Sequence, residues 1–147
     1  MLGVAAALVL VAGGTALADR LACNGGKCVG GDGPDIMFGS GRQDEIYSLK
    51  GGDLVRAKAG GDHVNGDGGD DRLVGGRGDD TVNGLDGEDI VAGSPGKDRL
   101  NGGKGSDRIE AADGTRDYIS CGNGPRDVVV FDRGLDRLTG CEVREPR

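Results

Sequence analysis

The sequence has few of the side chains that build an ordinary hydrophobic core. Its 147 residues include no Trp, two Phe, two Tyr and a single His. The chain must therefore fold, if it folds at all, around small aliphatic side chains. Glycine is abundant instead: the 32 glycines are about three times the usual share. This composition predicts disorder or a repeat architecture, depending on whether the glycines recur at a fixed interval.

An excess of positive charge is also missing. The 18 basic side chains are outnumbered by 25 acidic ones, and the net charge is −7. Binding to a phosphate backbone depends on clustered Lys and Arg, so no nucleic-acid partner is expected. An acidic excess favours cations, or solubility alone.

The only long apolar run covers residues 1–18 and ends in Ala16-Leu17-Ala18, an A-x-A cleavage signature. It predicts a signal peptide, a mature chain that begins at residue 19, and secretion. The run is shorter than the ~20 residues that span a bilayer, so we expect no membrane span in the mature chain. No Lys or Arg precedes the run, which leaves an uncleaved anchor or a longer native start as alternatives.

Aspartate recurs at every ninth residue from 35 to 107, and glycine recurs with it. An aliphatic residue or Met stands two positions after each aspartate, and Gly stands two positions before each, with Arg42 as the exception. A further Gly opens most units. The repeated aspartates are Asp35, Asp44, Asp53, Asp62, Asp71, Asp80, Asp89, Asp98 and Asp107.

The unit from Gly102 to Glu110, GGKGSDRIE, resembles the nonapeptide of the repeats-in-toxin (RTX) calcium-binding family. The resemblance extends over about residues 30 to 138. It implies an all-β fold, a right-handed parallel β-roll in which a six-residue turn alternates with a three-residue strand and two units complete one coil. The expected division of the chain is 1–18 signal peptide, 19–29 N-terminal cap, 30–110 β-roll, and 111–147 irregular repeats with the C-terminal cap.

The residues favour the same fold on physical grounds. A three-residue strand points one side chain inward, and glycine allows turn conformations closed to other residues. In a coil of two strands, alternate aspartates stack along the same edge. Their carboxylates repel one another unless cations lie between them, and flexible turns with only oxygen ligands favour Ca²⁺ over Mg²⁺ or transition metals. The single histidine, His63, is expected at the surface.

We expect calcium to be held by aspartates and glycines of the repeat turns. Residues 66 to 107 form the most regular run, whereas the turns that contain Arg42, Ser48-Leu49-Lys50 and Ala57-Lys58-Ala59 are degraded. With 17 acidic and 10 basic side chains between residues 30 and 110, three or four ions are expected. The predicted metal-binding residues are Asp35, Asp53, Asp62, Asp71, Asp80, Asp89, Asp98, Asp107, Gly66, Gly69, Gly75, Gly78, Gly84, Gly87, Gly102 and Gly105.

After Ile109 the period lengthens to ten residues, at Asp117 and Asp127, and these turns fit the metal pattern poorly. The inward aliphatic side chains are too few to offset the entropy of ordering so many glycines. We therefore expect the metal-free chain to be largely disordered and Ca²⁺ to drive folding.

The four cysteines lie near the two ends of the implied roll. Five to six coils would separate those ends by about 25 Å, so within the roll only the pairs Cys23–Cys28 and Cys121–Cys141 can form disulfides. A lipid on a free Cys23 is the alternative.

Three classes of function are compatible with this sequence. They are a secreted calcium-binding module, a calcium-stiffened structural or adhesive protein of the cell surface or matrix, and a hydrolase. The hydrolase is disfavoured, because the repeats leave no room for a catalytic domain and no P-loop, H-E-x-x-H or dinucleotide fingerprint occurs. We expect a calcium-binding protein that is not an enzyme, and the residues do not identify a protein or polysaccharide partner.

Overall fold

The structure, a computed structural model, describes residues 19–146, so the predicted signal peptide lies outside the described residues. This part of the chain consists of strands and turns, and no helix that could cross a membrane is found in it. The strands are β1 (Asp19–Ala22), β2 (Gly26–Val29), β3 (Asp35–Phe38), β4 (Asp44–Tyr47), β5 (Leu54–Ala59), β6 (His63–Gly68), β7 (Arg72–Arg77), β8 (Thr81–Asp86), β9 (Ile90–Ala92), β10 (Arg99–Lys104), β11 (Arg108–Glu110), β12 (Tyr118–Asn123), β13 (Val128–Phe131), β14 (Arg137–Thr139) and β15 (Val143–Pro146).

Consecutive strands alternate between two parallel sheets. The odd-numbered strands form an eight-stranded sheet in the order β1-β3-β5-β7-β9-β11-β13-β15. The even-numbered strands form a seven-stranded sheet in the order β14-β12-β10-β8-β6-β4-β2. Each strand therefore pairs with the strand two further along the chain, and the chain winds into a β-solenoid of about seven turns. This confirms the predicted parallel β-roll.

The core is a double stack of aliphatic side chains between the sheets. In the eight-stranded sheet, Val55 pairs with Leu73 and Leu73 with Val91, and all three side chains are fully buried. Burial of each such side chain contributes about 1.5–3 kcal/mol. The facing stack in the seven-stranded sheet is Cys28, Ile46, Val64, Val82, Leu100, Ile119 and Leu138.

Several strands are longer than the three residues expected for each repeat. Strand β7 has six residues and includes Gly75 and Gly76, and Lys58 of β5 pairs with Gly76. The first half of the turn thus stays extended. The N–H of Gly76 donates to the carbonyl of Gly93 at 2.9 Å and so continues the hydrogen bonding between the strands. A six-residue turn was therefore too long an estimate for these repeats.

Both ends of the solenoid carry a disulfide. Cys23 is bonded to Cys28, with Cα atoms 5.7 Å apart, and Cys121 to Cys141, with Cα atoms 5.1 Å apart. The predicted pairing is confirmed, and the disulfide at Cys23 is incompatible with a lipid on that sulfur. Strands β1 and β2 continue the two sheets, which is why the solenoid has more coils than the five to six expected. The division of the chain at residues 29 and 110 stays a prediction.

Candidate metal centre

The repeat aspartates point into the turns and are buried although they are acidic. From Asp35 to Asp107, none of the nine is more than 4% exposed, and Asp98 is fully buried. Seven of them occupy the last position of the turn, directly before a strand, whereas Asp35 and Asp44 are the first residues of β3 and β4. Burial of an unpaired carboxylate is costly, so the contacts of the two carboxylate oxygens decide what these side chains can do.

From Asp44 onward, one oxygen of each of these carboxylates joins two coils. The N–H of Asp71 donates to Oδ1 of Asp89 at 2.9 Å, and the N–H of Asp62 donates to Oδ1 of Asp80 at 2.7 Å. The partners are eighteen residues apart, which is two repeats, so the predicted stacking of alternate aspartates is confirmed. One edge contains Asp35, Asp53, Asp71, Asp89, Asp107 and Asp127, and the other Asp44, Asp62, Asp80, Asp98, Asp117 and Asp136.

The second oxygen of most of these carboxylates has no partner. Among the described residues, ten aspartates bury an Oδ2 atom that accepts no hydrogen bond. Seven of them are predicted metal-binding residues: Asp53, Asp62, Asp71, Asp80, Asp89, Asp98 and Asp107. The other three are Asp113, Asp117 and Asp127. A buried acceptor without a donor is rare in proteins and points to an ion or another donor at that place.

The first glycine of a turn lies against this oxygen. A Cβ atom on Gly84 would collide with Oδ2 of Asp89 and with the carbonyl oxygen of Gly102 in the next coil of the same edge. The space beside Gly84 is therefore lined by one carboxylate oxygen and one main-chain oxygen. Gly66 lies in the same way against Asp71 and Gly84, and Gly102 against Asp107 and Cys121. A Cβ on Gly75 would lie 2.5 Å from Oδ2 of Asp80.

The second glycine of a turn has a packing role. Gly78 has a φ of +124°, and a Cβ there would overlap the carbonyl oxygen of Gly60 one coil earlier. Successive turns can therefore stack only when this position lacks a side chain. Gly69, Gly87 and Gly105 stand in the same relation to the turn before them. That these four glycines also bind metal stays a prediction.

Burial and neighbouring carboxylates raise the pKa values of the ladder aspartates from Asp53 to Asp117. Desolvation raises the pKa of Asp71 and of Asp98 to about 7, and that of Asp80 and of Asp89 to about 6. The negative charge of the next carboxylate on the same edge adds to the effect, as Asp107 does at Asp89. Hydrogen bonds from the backbone act in the opposite direction and are outweighed. The metal-free ladder therefore has a high affinity for protons, and by the same electrostatics for cations.

A family model for the RTX calcium-binding nonapeptide repeat matches the chain four times, at residues 29–64, 47–82, 65–100 and 83–116. The chain belongs to the RTX calcium-binding nonapeptide repeat family. RTX repeats bind Ca²⁺, and the oxygen-only lining of these turns suits that ion. No curated protein and no solved structure matches the chain.

The first two RTX turns differ from the others. Oδ2 of Asp35 accepts a hydrogen bond from the N–H of Gly31 at 2.6 Å, and Oδ2 of Asp44 accepts from the N–H and the hydroxyl of Ser40. Both carboxylates are satisfied without an ion. Asp35 was among the predicted metal-binding residues, and this contact distinguishes it from the other seven.

The ladder continues beyond the last RTX match. Asp117 and Asp127 are fully buried, with an unpartnered Oδ2 on each. The prediction omitted both, because the ten-residue spacing departs from the repeat. The sequence nevertheless indicates that both belong to the ladder, because Asp117 stands two positions before Ile119 and Asp127 two positions before Val129, as in the regular repeats.

Proposed function

We propose that this RTX protein is a secreted calcium-binding protein whose solenoid folds when Ca²⁺ enters the aspartate ladder. The observation that carries the proposal is the row of buried Oδ2 atoms without a hydrogen-bond donor on both edges of the solenoid. In the absence of a cation, each of these carboxylates is desolvated and lies near others of the same sign. A divalent cation bound to these oxygens offsets both the cost of desolvation and the repulsion between the carboxylates.

The ligands in this proposal are Asp53, Asp62, Asp71, Asp80, Asp89, Asp98 and Asp107. Asp35 is left out, because the Gly31 N–H already occupies its Oδ2. The first glycines, as at Gly84, leave room for an ion between the carboxylate of one coil and the main-chain carbonyl of the next. Mixed carboxylate and carbonyl oxygen ligands on flexible turns favour Ca²⁺ over the smaller Mg²⁺, which demands rigid octahedral geometry.

Calcium-driven folding follows from the same contacts. The carboxylates meet only when the coils are stacked, so the site does not exist in the unfolded chain. Binding to the folded state alone stabilises that state by mass action. The core of the described residues consists mainly of aliphatic side chains of modest size, with Met37 and the disulfide cysteines beside them, which leaves a large share of the folding free energy to the ions.

Secretion is supported by two features. Both disulfides require an oxidising environment to persist, and residues 1–18 have the sequence of a signal peptide. An extracellular location also supplies calcium at a concentration that weak sites can use.

Far-ultraviolet circular dichroism of the chain during a calcium titration tests the proposal. With chelator at neutral pH we expect a spectrum of disordered chain, and with Ca²⁺ a β spectrum that Mg²⁺ at the same concentration does not produce. A β spectrum of full amplitude in chelator would contradict calcium-driven folding. Failure to bind calcium in calorimetry would contradict the function itself.

A further inference from the structure

A cluster of three carboxylates lies where the nine-residue period breaks. One carboxylate oxygen each from Asp98, Asp113 and Asp117 lies within 4.8 Å of the other two. Asp98 and Asp117 stack on the same edge, through the bond from the Asp98 N–H to Oδ1 of Asp117 at 2.8 Å. Asp113 belongs to the longer turn before Asp117, and the repeat pattern has no ligand at its place.

The free oxygens of this cluster are buried. Asp98 and Asp117 are both 0% exposed, and Oδ2 in all three carboxylates accepts no hydrogen bond. Oδ1 of Asp98 and of Asp117 is already occupied by a main-chain N–H. The buried carboxylates of Asp98 and Asp117 and the half-buried carboxylate of Asp113 thus converge with an unused, buried oxygen on each, which is a stronger requirement for a cation than the paired carboxylates of the regular turns.

Asp113 is held in place by contacts on both sides. Its Oδ1 accepts the N–H of Thr115 at 2.7 Å and the Thr115 hydroxyl at 2.6 Å. Its own N–H and that of Gly114 donate to Oδ2 of Asp132, at 2.9 and 2.6 Å. The backbone and one oxygen are therefore fixed, which leaves Oδ2 as the oxygen available to a ligand.

No basic side chain in the described part of the chain forms an ion pair with the cluster. Lys97, next to Asp98 in the chain, directs its amine over the ring of Tyr118, 5.4 Å from the centroid. The negative charges of Asp113, Asp132 and Asp136 all act on Asp117.

We infer that Asp113 joins the ladder aspartates Asp98 and Asp117 in one calcium site at the C-terminal end of the regular ladder. Oxygens within 4.8 Å of one another can share one ion at the 2.3–2.6 Å typical of Ca²⁺. The inference rests on the proposed function in its choice of ion, and adds a side-chain ligand, Asp113, from a turn outside the nonapeptide pattern. It also assigns a metal ligand to one of the irregular turns, which fit the metal pattern of the sequence poorly.

Asp113→Asn tests the site with little disturbance of the turn. The amide keeps an oxygen that can accept both Thr115 donors and replaces the free Oδ2 by an NH₂ group. The matched control is Asp86→Asn, which removes the same charge from an exposed turn position paired with Lys104 at 2.9 Å. Calorimetric calcium titration of the full chain is expected to show one equivalent fewer in Asp113→Asn and no change in Asp86→Asn.

A calcium stoichiometry and affinity in Asp113→Asn equal to those of the control would overturn the site while leaving the proposed function intact. A wild-type chain that takes up no calcium would overturn both. If Asp113→Asn does not fold, crystals of the wild-type chain soaked in Tb³⁺ decide the matter. An anomalous peak among the three aspartates supports the site, and peaks confined to the regular turns overturn it.

Discussion

The main-chain N–H of Asp53 donates a hydrogen bond of 2.8 Å to Oδ1 of Asp71, eighteen residues further along the chain. The carboxylate of Asp71 thus has two separate roles. One oxygen fixes the stacking of two coils, and the other is left buried without a donor. A substitution that changes one oxygen and keeps the other can therefore separate the hydrogen bond between coils from ion binding.

Asp71→Asn is expected to weaken calcium binding by about tenfold or more, since one charged ligand is lost from a site. The amide oxygen can still accept the Asp53 N–H, so the coils stay joined. Asp70→Asn is the control, because Asp70 is exposed and its Oδ1 also accepts an N–H eighteen residues away, from Glu88 at 2.9 Å. Calorimetry on both variants measures the difference, and equal affinities would show that Asp71 is not a ligand.

The stability of the metal-free chain is expected to fall as the pH rises. The pKa of Asp71, Asp98 and Asp117 is about 7 in the folded chain and returns to about 3.9 on unfolding. Between these values the folded state binds more protons than the unfolded state, so the free energy of unfolding decreases with pH. Dichroism in EDTA should show more β structure near pH 5 than near pH 8, and the opposite trend would contradict the raised pKa values.

Calcium binding is expected to have the reverse pH dependence. Protons and Ca²⁺ compete for the same carboxylates, so the calcium concentration at half-saturation should rise as the pH falls from about 8 to about 5. A titration followed by calorimetry at several pH values measures this shift. An affinity that does not change over that range would mean that the ions bind elsewhere.

Gly84→Ala is expected to lower calcium affinity, because its Cβ would occupy the space between Oδ2 of Asp89 and the carbonyl of Gly102. Gly68→Ala is the matched control, since a Cβ at Gly68 meets nothing within 4 Å. Both changes reduce the entropy of the unfolded chain alike. Parallel calcium titrations followed by dichroism compare them, and an equal calcium requirement in the two variants would exclude an ion beside Gly84.

Leu85→Gly is expected to stabilise the calcium-loaded protein. Leu85 has a φ of +84°, a conformation that costs a residue with a side chain ~1–2 kcal/mol. Glycine removes this strain, but its greater freedom in the unfolded chain lowers the stability by ~0.5–1 kcal/mol. A net gain of about 0.5–1 kcal/mol should raise the melting temperature by several degrees. Leu85→Ala keeps the strained φ and should give no such gain, so an equal rise in both variants would refute this explanation.

The nine-residue spacing, together with the β-roll that its RTX resemblance implies, was sufficient to predict the two sheets, the two edges of aspartates and the disulfide pairs. It fixes which residues stack, because each coil contains two repeats and the inward aliphatic residue sets the register. It could not predict that Oδ2 of Asp35 and Asp44 would be occupied. That depends on whether the turn folds back far enough for the N–H four residues earlier, at Gly31 or Ser40, to reach the carboxylate.

The direction of the Asp113 side chain could not be predicted from the sequence either. Its position depends on Thr115 and Asp132, which approach it only after the ten-residue spacing has lengthened the turn. The spacing after Ile109 fits the metal pattern poorly, yet the longer turn brings an additional carboxylate close to Asp98 and Asp117.

The two disulfides make the ends of the solenoid mechanically unequal. Cys121 and Cys141 are 20 residues apart and join two successive coils, whereas Cys23 and Cys28 are 5 residues apart and close only half of one coil. Under a pulling force, the coils between Cys28 and Cys121 can extend, because no covalent link joins one of these coils to the next. At the C-terminal side the disulfide carries the force directly to Cys121, so the segment between Cys121 and Cys141 contributes almost no length.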